Sequence, residues 1–133
     1  MMAAGMMGAV AFQKGLGAIH ALSHPIGAIH GTHHGTTNAV CMPAVLRLNA
    51  PAIAARFDSA GGYIGIDGGF AGFQAFVDEF NASLGIPRTL AEIGVTDPDP
   101  DRLVREALAD PSCGGNPIPL TAENLRGLLL ELL

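Results

Sequence analysis

The chain has 133 residues, enough for about one domain that buries roughly two-thirds of its unfolded surface. Hydrophobic residues make up 49% of it and charged residues only 14%, whereas roughly a quarter of an average soluble domain is charged. This composition excludes a disordered chain and predicts an apolar face that packs against another domain or subunit. The net charge is −5 and the seven Lys and Arg residues are scattered, so no nucleic-acid partner is expected.

The apolar segments are too short to predict a membrane span. The longest run, residues 1–12, has twelve residues and contains two glycines, whereas a helix that crosses a bilayer needs about 20 apolar residues. No basic residue precedes this run, as one would in a secretory signal. Cys41 and Cys113 lie far apart without a CxxC motif, which predicts reduced thiols. We therefore expect a cytoplasmic protein without a membrane partner.

The first part of the chain predicts helices that are separated at prolines. Residues 1–24 are rich in Ala, Met and Leu and lack an internal proline, which predicts one long helix that runs into Pro25. Residues 25–33 are predicted as a loop. Residues 35–48 are predicted as a buried helix, with a kink or break at Pro43.

Glycine-rich and amphipathic stretches define the middle of the chain. A new helical segment is predicted from residue 49 to about residue 57, followed by a glycine-rich loop over residues 58–70. Residues 71–84 carry apolar side chains at helical spacing, which predicts an amphipathic helix. These side chains are Phe73, Phe76, Val77, Phe80 and Leu84.

The last part of the chain predicts two further helices. Residues 85–95 are predicted as a turn with one short helical piece, and residues 97–110 as a helix that begins with acidic residues. After a loop, Thr121 is predicted to cap a final helix over residues 122–132, with Glu123 in its first turn. Because no segment shows the period-two alternation of a strand, the fold class is predicted as all-α, a multi-helix bundle.

All five histidines lie between His20 and His34. If residues 15–24 are helical, His20 and His24 lie one turn apart on the same face, and the following loop can bring His34 back toward them. Imidazole suits Fe, Zn, Ni and Cu, but a mononuclear site usually needs three or four protein ligands, and no HExxH motif or acidic partner stands nearby. Spacing alone leaves a metal site and ordinary hydrogen-bonded histidines as open alternatives.

The longer pattern around these histidines resembles a known family. The stretch GLGAIHALSHPIGAIHGTHHGTTNAVCMPAVLRLN, residues 15–49, is similar to the signature of the iron-containing (group III) alcohol dehydrogenases. The downstream stretches LGIPRTLAEIGV and DPSCGGNPIPLTAENL are similar to the closing segments of the same family. The resemblance therefore extends over essentially the whole chain.

The resemblance implies a role for three of the histidines. His20 and His34 correspond to metal-ligating histidines, with Fe²⁺ as the expected metal and Zn²⁺ as a possible one. His24 corresponds to the histidine that faces the nicotinamide and the substrate and relays a proton, so it is the expected catalytic and cofactor-binding residue. His30 and His33 match no family ligand, and loop or surface positions are expected for them.

The resemblance also implies that the chain is one half of a two-domain enzyme. Residues 1–133 match the all-helical C-terminal metal-binding domain, and the α/β domain that binds NAD or NADP and supplies two further metal ligands is expected to be absent from this chain. We expect that domain as a partner, together with a small alcohol or aldehyde substrate and a homo-oligomeric full enzyme. Two positions depart from or stand outside the family pattern: Ile118 replaces a frequent arginine, and Cys113 has no expected catalytic role.

Three functions remain open from the sequence. The favoured one is a metal-dependent, NAD(P)-linked alcohol dehydrogenase or aldehyde reductase, in which hydride passes between an alcohol and the nicotinamide while the metal polarises the substrate oxygen. A maleylacetate reductase-like domain is the nearest rival within the superfamily. The third is a truncated, non-enzymatic helical module that uses the histidines for metal binding or interaction.

Overall fold

The computed structural model describes the backbone of residues 1–133 and every side chain except that of residue 58. The predicted all-α class is confirmed: six α-helices follow one another, with two short 3₁₀ segments between them. The helices are α1 (Met2–Phe12), α2 (Ala18–His30), α3 (His34–Ile64), α4 (Gly69–Ser83), α5 (Pro100–Ala109) and α6 (Ala122–Leu132), and the 3₁₀ segments are Ala91–Ile93 and Pro111–Gly115.

Helix α2 lies at the centre of the bundle. It packs against α3, α5 and the 3₁₀ segment Pro111–Gly115, while α3 also packs against α4 and α6, and α5 against α6. Leucines from three of these helices, Leu22, Leu103 and Leu129, are fully buried in the common core. Burial of such side chains is the main stabilising contribution, so the histidine-bearing helix α2 is held by the core itself.

The predicted last helix, residues 122–132, and its cap are confirmed, whereas α5 begins at Pro100 instead of residue 97. Asp99 caps α5 by accepting a hydrogen bond from the backbone N–H of Arg102 at 3.0 Å. Thr121 caps α6 in a reciprocal capping box with Asn124. Both caps satisfy N–H groups that have no partner inside the helix.

The prediction of one helix over residues 1–24 is wrong. Helix α1 ends at Phe12, and α2 begins only at Ala18. Gly15 adopts a positive φ of 97°, which the left-handed region allows to glycine and which interrupts a helix. None of the residues of α1 is buried, and its large apolar side chains are exposed: Met2, Met6, Met7, Val10 and Phe12.

The predicted loop over residues 25–33 is also wrong, since α2 continues through Pro25 to His30. Proline costs a helix one hydrogen bond because it lacks an N–H. Here the Pro25 ring is buried within α2, and apolar burial offsets part of that cost. The helix ends where Gly31 takes a positive φ of 71°, so the real connection is limited to residues 31–33.

Helix α3 is longer than predicted because it contains both Pro43 and Pro51. The missing N–H of Pro43 leaves the carbonyl of Ala39 without its helical partner. The side chain of Asn81, on α4, donates a hydrogen bond to this carbonyl at 2.9 Å. A long-range contact therefore replaces the bond that the proline removes, and the break expected at Pro43 does not occur.

The predicted glycine-rich loop over residues 58–70 is shorter in the structure. The backbone stays helical to Ile64, and the connection to α4 covers residues 65–68. Gly65 and Gly68 take positive φ values of 73° and 87°, and these conformations mark the two ends of the turn. Within the residues described, no helix combines the length and apolarity that crossing a membrane requires.

Candidate active site

Three of the five histidines meet where α2 packs against α3. His20 and His24 lie one turn apart on α2 with ring centroids 5.5 Å apart. The ring of His34, the first residue of α3, lies 5.2 Å from that of His20 and 5.5 Å from that of His24. The structure thus brings together the three residues that the sequence singled out, and we call them the histidine triad (His20, His24 and His34).

The side chain of Asn38 lies between two imidazoles of the triad. Its amide nitrogen is 3.1 Å from Nε2 of His34 and 3.4 Å from Nε2 of His20. An amide N–H only donates, so both Nε2 atoms accept, and the neutral rings carry their protons on Nδ1. Burial, followed by the neighbouring imidazoles of His34 and His24, lowers the pKa of His20, which favours its neutral form.

These two nitrogens have the chemistry of metal ligands. Both lone pairs converge on the Asn38 amide, whose own oxygen is buried without a hydrogen-bond partner. Neutral imidazole suits Fe²⁺ and Zn²⁺, so the donor chemistry fits either ion. Among the side chains that the structure describes, no three His, Cys, Asp or Glu residues are arranged to hold a metal ion. Since a mononuclear site usually takes three or four protein ligands, two histidines fit such a site but do not complete it.

The third imidazole of the triad is held by a carboxylate that sequence reasoning missed. Nδ1 of His24 lies 2.8 Å from Oδ2 of Asp110, although the two residues are 86 positions apart. Asp110 is only 12% exposed, and Ser112 donates its backbone N–H to the other carboxylate oxygen at 2.7 Å. Burial alone raises the pKa of Asp110, but the hydrogen bonds from Ser112 and His24 outweigh it and hold the pKa below its ordinary value.

The sequence contained a signal for the capping role of Asp110, because this residue begins an Asp-Pro-Ser sequence at the end of a predicted helix. Proline disfavours the helical conformation at the preceding residue, so the chain has to turn out of α5 at Asp110. An aspartate in this position commonly caps the following turn through its side chain. The contact with His24 could not be inferred in the same way, because it depends on how α5 packs against α2.

The start of α2 is fixed by a second polar contact. Asn116 accepts a hydrogen bond from the backbone N–H of Ala18 at 3.1 Å and exchanges two side-chain hydrogen bonds with Asn49, at 2.7 and 3.0 Å. A Cβ on Gly17 would lie 2.9 Å from the amide oxygen of Asn116, so a larger residue at this position would require Asn116 to shift. These contacts tie the first turn of α2, which carries His20, to α3, which carries His34.

The other two histidines and both cysteines lie outside the triad. Nδ1 of the exposed His33 accepts a hydrogen bond from the backbone N–H of Thr36 at 3.3 Å and so caps α3. His30, expected in a loop or at the surface, is instead the half-buried last residue of α2 and lies outside the triad. Cys41 and Cys113 are free thiols, as predicted, and burial raises the pKa of Cys41 to about 12.

The whole chain, residues 1–133, matches the sequence profile described as the Fe-containing alcohol dehydrogenase family, C-terminal. The chain belongs to this family. The resemblance inferred from the histidine-containing stretch is therefore confirmed, and the matched part is the C-terminal one. Individual relatives support this membership by both sequence and fold.

Two curated relatives and one solved structure illustrate the similarity. The chain is 41% identical to 4-hydroxybutyrate dehydrogenase of Cupriavidus necator over 97% of its own length and 36% of that protein. It is 34% identical to lactaldehyde reductase of Escherichia coli over 84% of its length and 31% of that protein. A crystal structure of 1,3-propanediol oxidoreductase superposes with a TM-score of 0.81 at 26% identity, over 89% of this chain and 33% of that one. The chain thus spans about a third of the length of the relatives it matches.

Proposed function

We propose that residues 1–133 form the helical, metal-binding domain of an NAD(P)-linked alcohol dehydrogenase or aldehyde reductase. The observation that carries this proposal is the histidine triad, in which Nε2 atoms of His20 and His34 converge on one amide and His24 lies beside them. Membership of the iron-containing alcohol dehydrogenase family supports the reaction class. The relatives described above are dehydrogenases and reductases of small oxygenated compounds.

His20 and His34 are assigned as two ligands of the metal, Fe²⁺ or Zn²⁺. Both rings offer Nε2 while Nδ1 carries the proton, and the lowered pKa of His20 keeps its lone pair available at neutral pH. When bound, the ion supplies a Lewis acid that polarises the substrate oxygen. The remaining ligands are proposed to come from the part of the relatives that residues 1–133 do not cover.

His24 is assigned to the hydride-transfer site, where it takes up the proton that the alcohol loses. Its side chain is 41% exposed, so a substrate and a nicotinamide ring can reach it. Its Nδ1 is occupied by Asp110, so Nε2 is the nitrogen that is free to accept a proton. The ring stacks on that of His34 at an interplanar angle of 15°, which holds it next to the proposed metal ligands.

The substrate is proposed to be a short-chain alcohol or the corresponding aldehyde. This class is shared by the named substrates of the two curated relatives, 4-hydroxybutyrate and lactaldehyde. The nucleotide is assigned to a partner α/β domain, which the family places before the helical one. The exposed apolar surface of α1 supports such a partner, because covering an apolar helix without buried residues lowers the free energy.

A chimera tests this function. Residues 1–133 replace the matching third of 4-hydroxybutyrate dehydrogenase of Cupriavidus necator, to which they are 41% identical. We expect 4-hydroxybutyrate-dependent reduction of NAD⁺ or NADP⁺, and a loss of kcat on the order of 10²-fold or more in the His24→Ala chimera. The His33→Ala chimera serves as a control, since His33 only caps α3. A folded chimera without turnover, or one in which His24→Ala retains full kcat, contradicts the proposal.

A further inference from the structure

We propose that Asp110 is a positioning residue that fixes the tautomer of His24, so that Nδ1 carries the proton and Nε2 presents its lone pair. The inference deepens the function proposed above and rests on it only for the consequence in catalysis. The contact itself is a property of this chain.

The two oxygens of Asp110 contact different residues. Oδ1 accepts from the backbone N–H of Ser112 at 2.7 Å, and Oδ2 lies 2.8 Å from Nδ1 of His24. A carboxylate has no proton to donate, so the neutral imidazole has to donate its own through Nδ1. Free histidine in water favours the other tautomer, with the proton on Nε2, so the contact reverses the intrinsic preference.

The backbone and its neighbours restrict the orientation of the Asp110 carboxylate. Asp110 ends α5 and caps the segment Pro111–Gly115, with φ −69° and ψ 133°. The following Pro111 disfavours a helical conformation at this residue. The side chain is mostly buried at 12% exposure, and the hydrogen bond from Ser112 keeps its orientation. The same short segment continues to Asn116, which anchors the first turn of α2, so His24 is held against a fixed partner.

This arrangement makes the effect of one substitution specific. In the Asp110→Asn variant, the backbone N–H of Ser112 still requires an acceptor and therefore selects the amide oxygen. The amide NH₂ then faces Nδ1 of His24, which has to accept instead of donate. The proton moves to Nε2, which is the nitrogen that the proposed reaction needs as an acceptor. An aspartate-to-asparagine change that imposes the wrong histidine tautomer is known to disable catalytic triads.

The tautomer can be measured on the 133-residue chain without metal, cofactor or substrate. Two-bond ¹H–¹⁵N correlation spectra at pH 9 distinguish a protonated Nδ1 from a protonated Nε2 for each histidine. We expect His24 of the wild-type chain to be protonated on Nδ1, and His24 of Asp110→Asn to be protonated on Nε2. Asp99→Asn is the matched control, since Asp99 caps α5 in the same way without contacting a histidine, and asparagine caps equally well.

A wild-type His24 that is protonated on Nε2 overturns the inference, and this result needs no variant to fold. An Asp110→Asn chain whose His24 keeps the proton on Nδ1 overturns it as well. In the chimera, Asp110→Asn is expected to lower kcat on the order of 10²-fold or more with a much smaller change in KM. If the tautomer reverses and kcat stays unchanged, the inference about Asp110 holds and the role proposed for His24 fails.

Discussion

At the scale of single residues, the carboxylate of Asp110 links local structure to the candidate site. It caps a 3₁₀ segment and holds His24, and both hydrogen bonds favour its charged form. Asn38 has a comparable position, because it bridges His20 and His34 from one turn along α3. Neither residue is one of the five histidines, yet each imidazole of the triad has a polar contact with one of them.

The lowered pKa of Asp110 predicts an acid-dependent contribution to stability. A carboxyl group whose pKa is depressed by folding stabilises the folded state above its unfolded-state pKa of about 3.9, and this contribution is lost as the pH falls through the lower folded-state value. We therefore expect wild type to be more stable than Asp110→Ala at pH 6, with a smaller difference at pH 3. Urea unfolding at a series of pH values measures it. A stability difference that is the same at both pH values contradicts the prediction.

At the scale of elements, the sequence predicted the helices whose ends are marked by local chemistry. Thr121 caps α6 as predicted, and Asp99, one of the acidic residues expected at the start of α5, is the cap of that helix, because capping involves residues only two or three positions apart. The i, i+4 spacing of His20 and His24 also placed both rings on one face of α2. Local rules sufficed in each of these cases.

The helix ends predicted at Pro25 and Pro43 were wrong because residues distant in sequence determine how each helix accommodates its proline. Pro43 lies inside α3 and cannot donate a hydrogen bond to the carbonyl of Ala39. Asn81, 42 positions from Ala39, donates to this carbonyl instead. Pro25 is buried within α2, so packing retains a helix that local preference would end. The contact between Asp110 and His24 was missed for the same reason, since it spans 86 positions and depends on tertiary packing.

A double-mutant cycle tests how α3 tolerates Pro43. We expect Asn81→Ala to lower the free energy of unfolding by about 1–3 kcal/mol, because it leaves the carbonyl of Ala39 without a partner. In a Pro43→Ala background, the new N–H of residue 43 can bond to that carbonyl, so Asn81→Ala should cost clearly less. Chemical denaturation of the four variants measures the coupling. Equal costs in both backgrounds would show that the bond to Asn81 does not replace the missing one.

At the scale of the whole molecule, the chain presents the histidine triad and an apolar helix whose side chains are exposed. Residues 1–133 span about a third of the length of their relatives. The histidine triad offers two converging nitrogens where a mononuclear metal site needs three or four ligands. The exposed apolar side chains of α1 form a second surface, and covering this surface would lower the free energy. The partner domain proposed above, with the remaining ligands and the nucleotide site, would account for both features.

The metal content of the chimera tests the central claim, that His20 and His34 are metal ligands. After reconstitution with Fe²⁺ or Zn²⁺ and desalting, elemental analysis should find about one metal ion per chain, as expected for a mononuclear site. His20→Ala and His34→Ala should each remove most of this metal, while His33→Ala, whose side chain caps α3, should retain it. Full metal content in folded chimeras that carry both His20→Ala and His34→Ala would contradict the assignment.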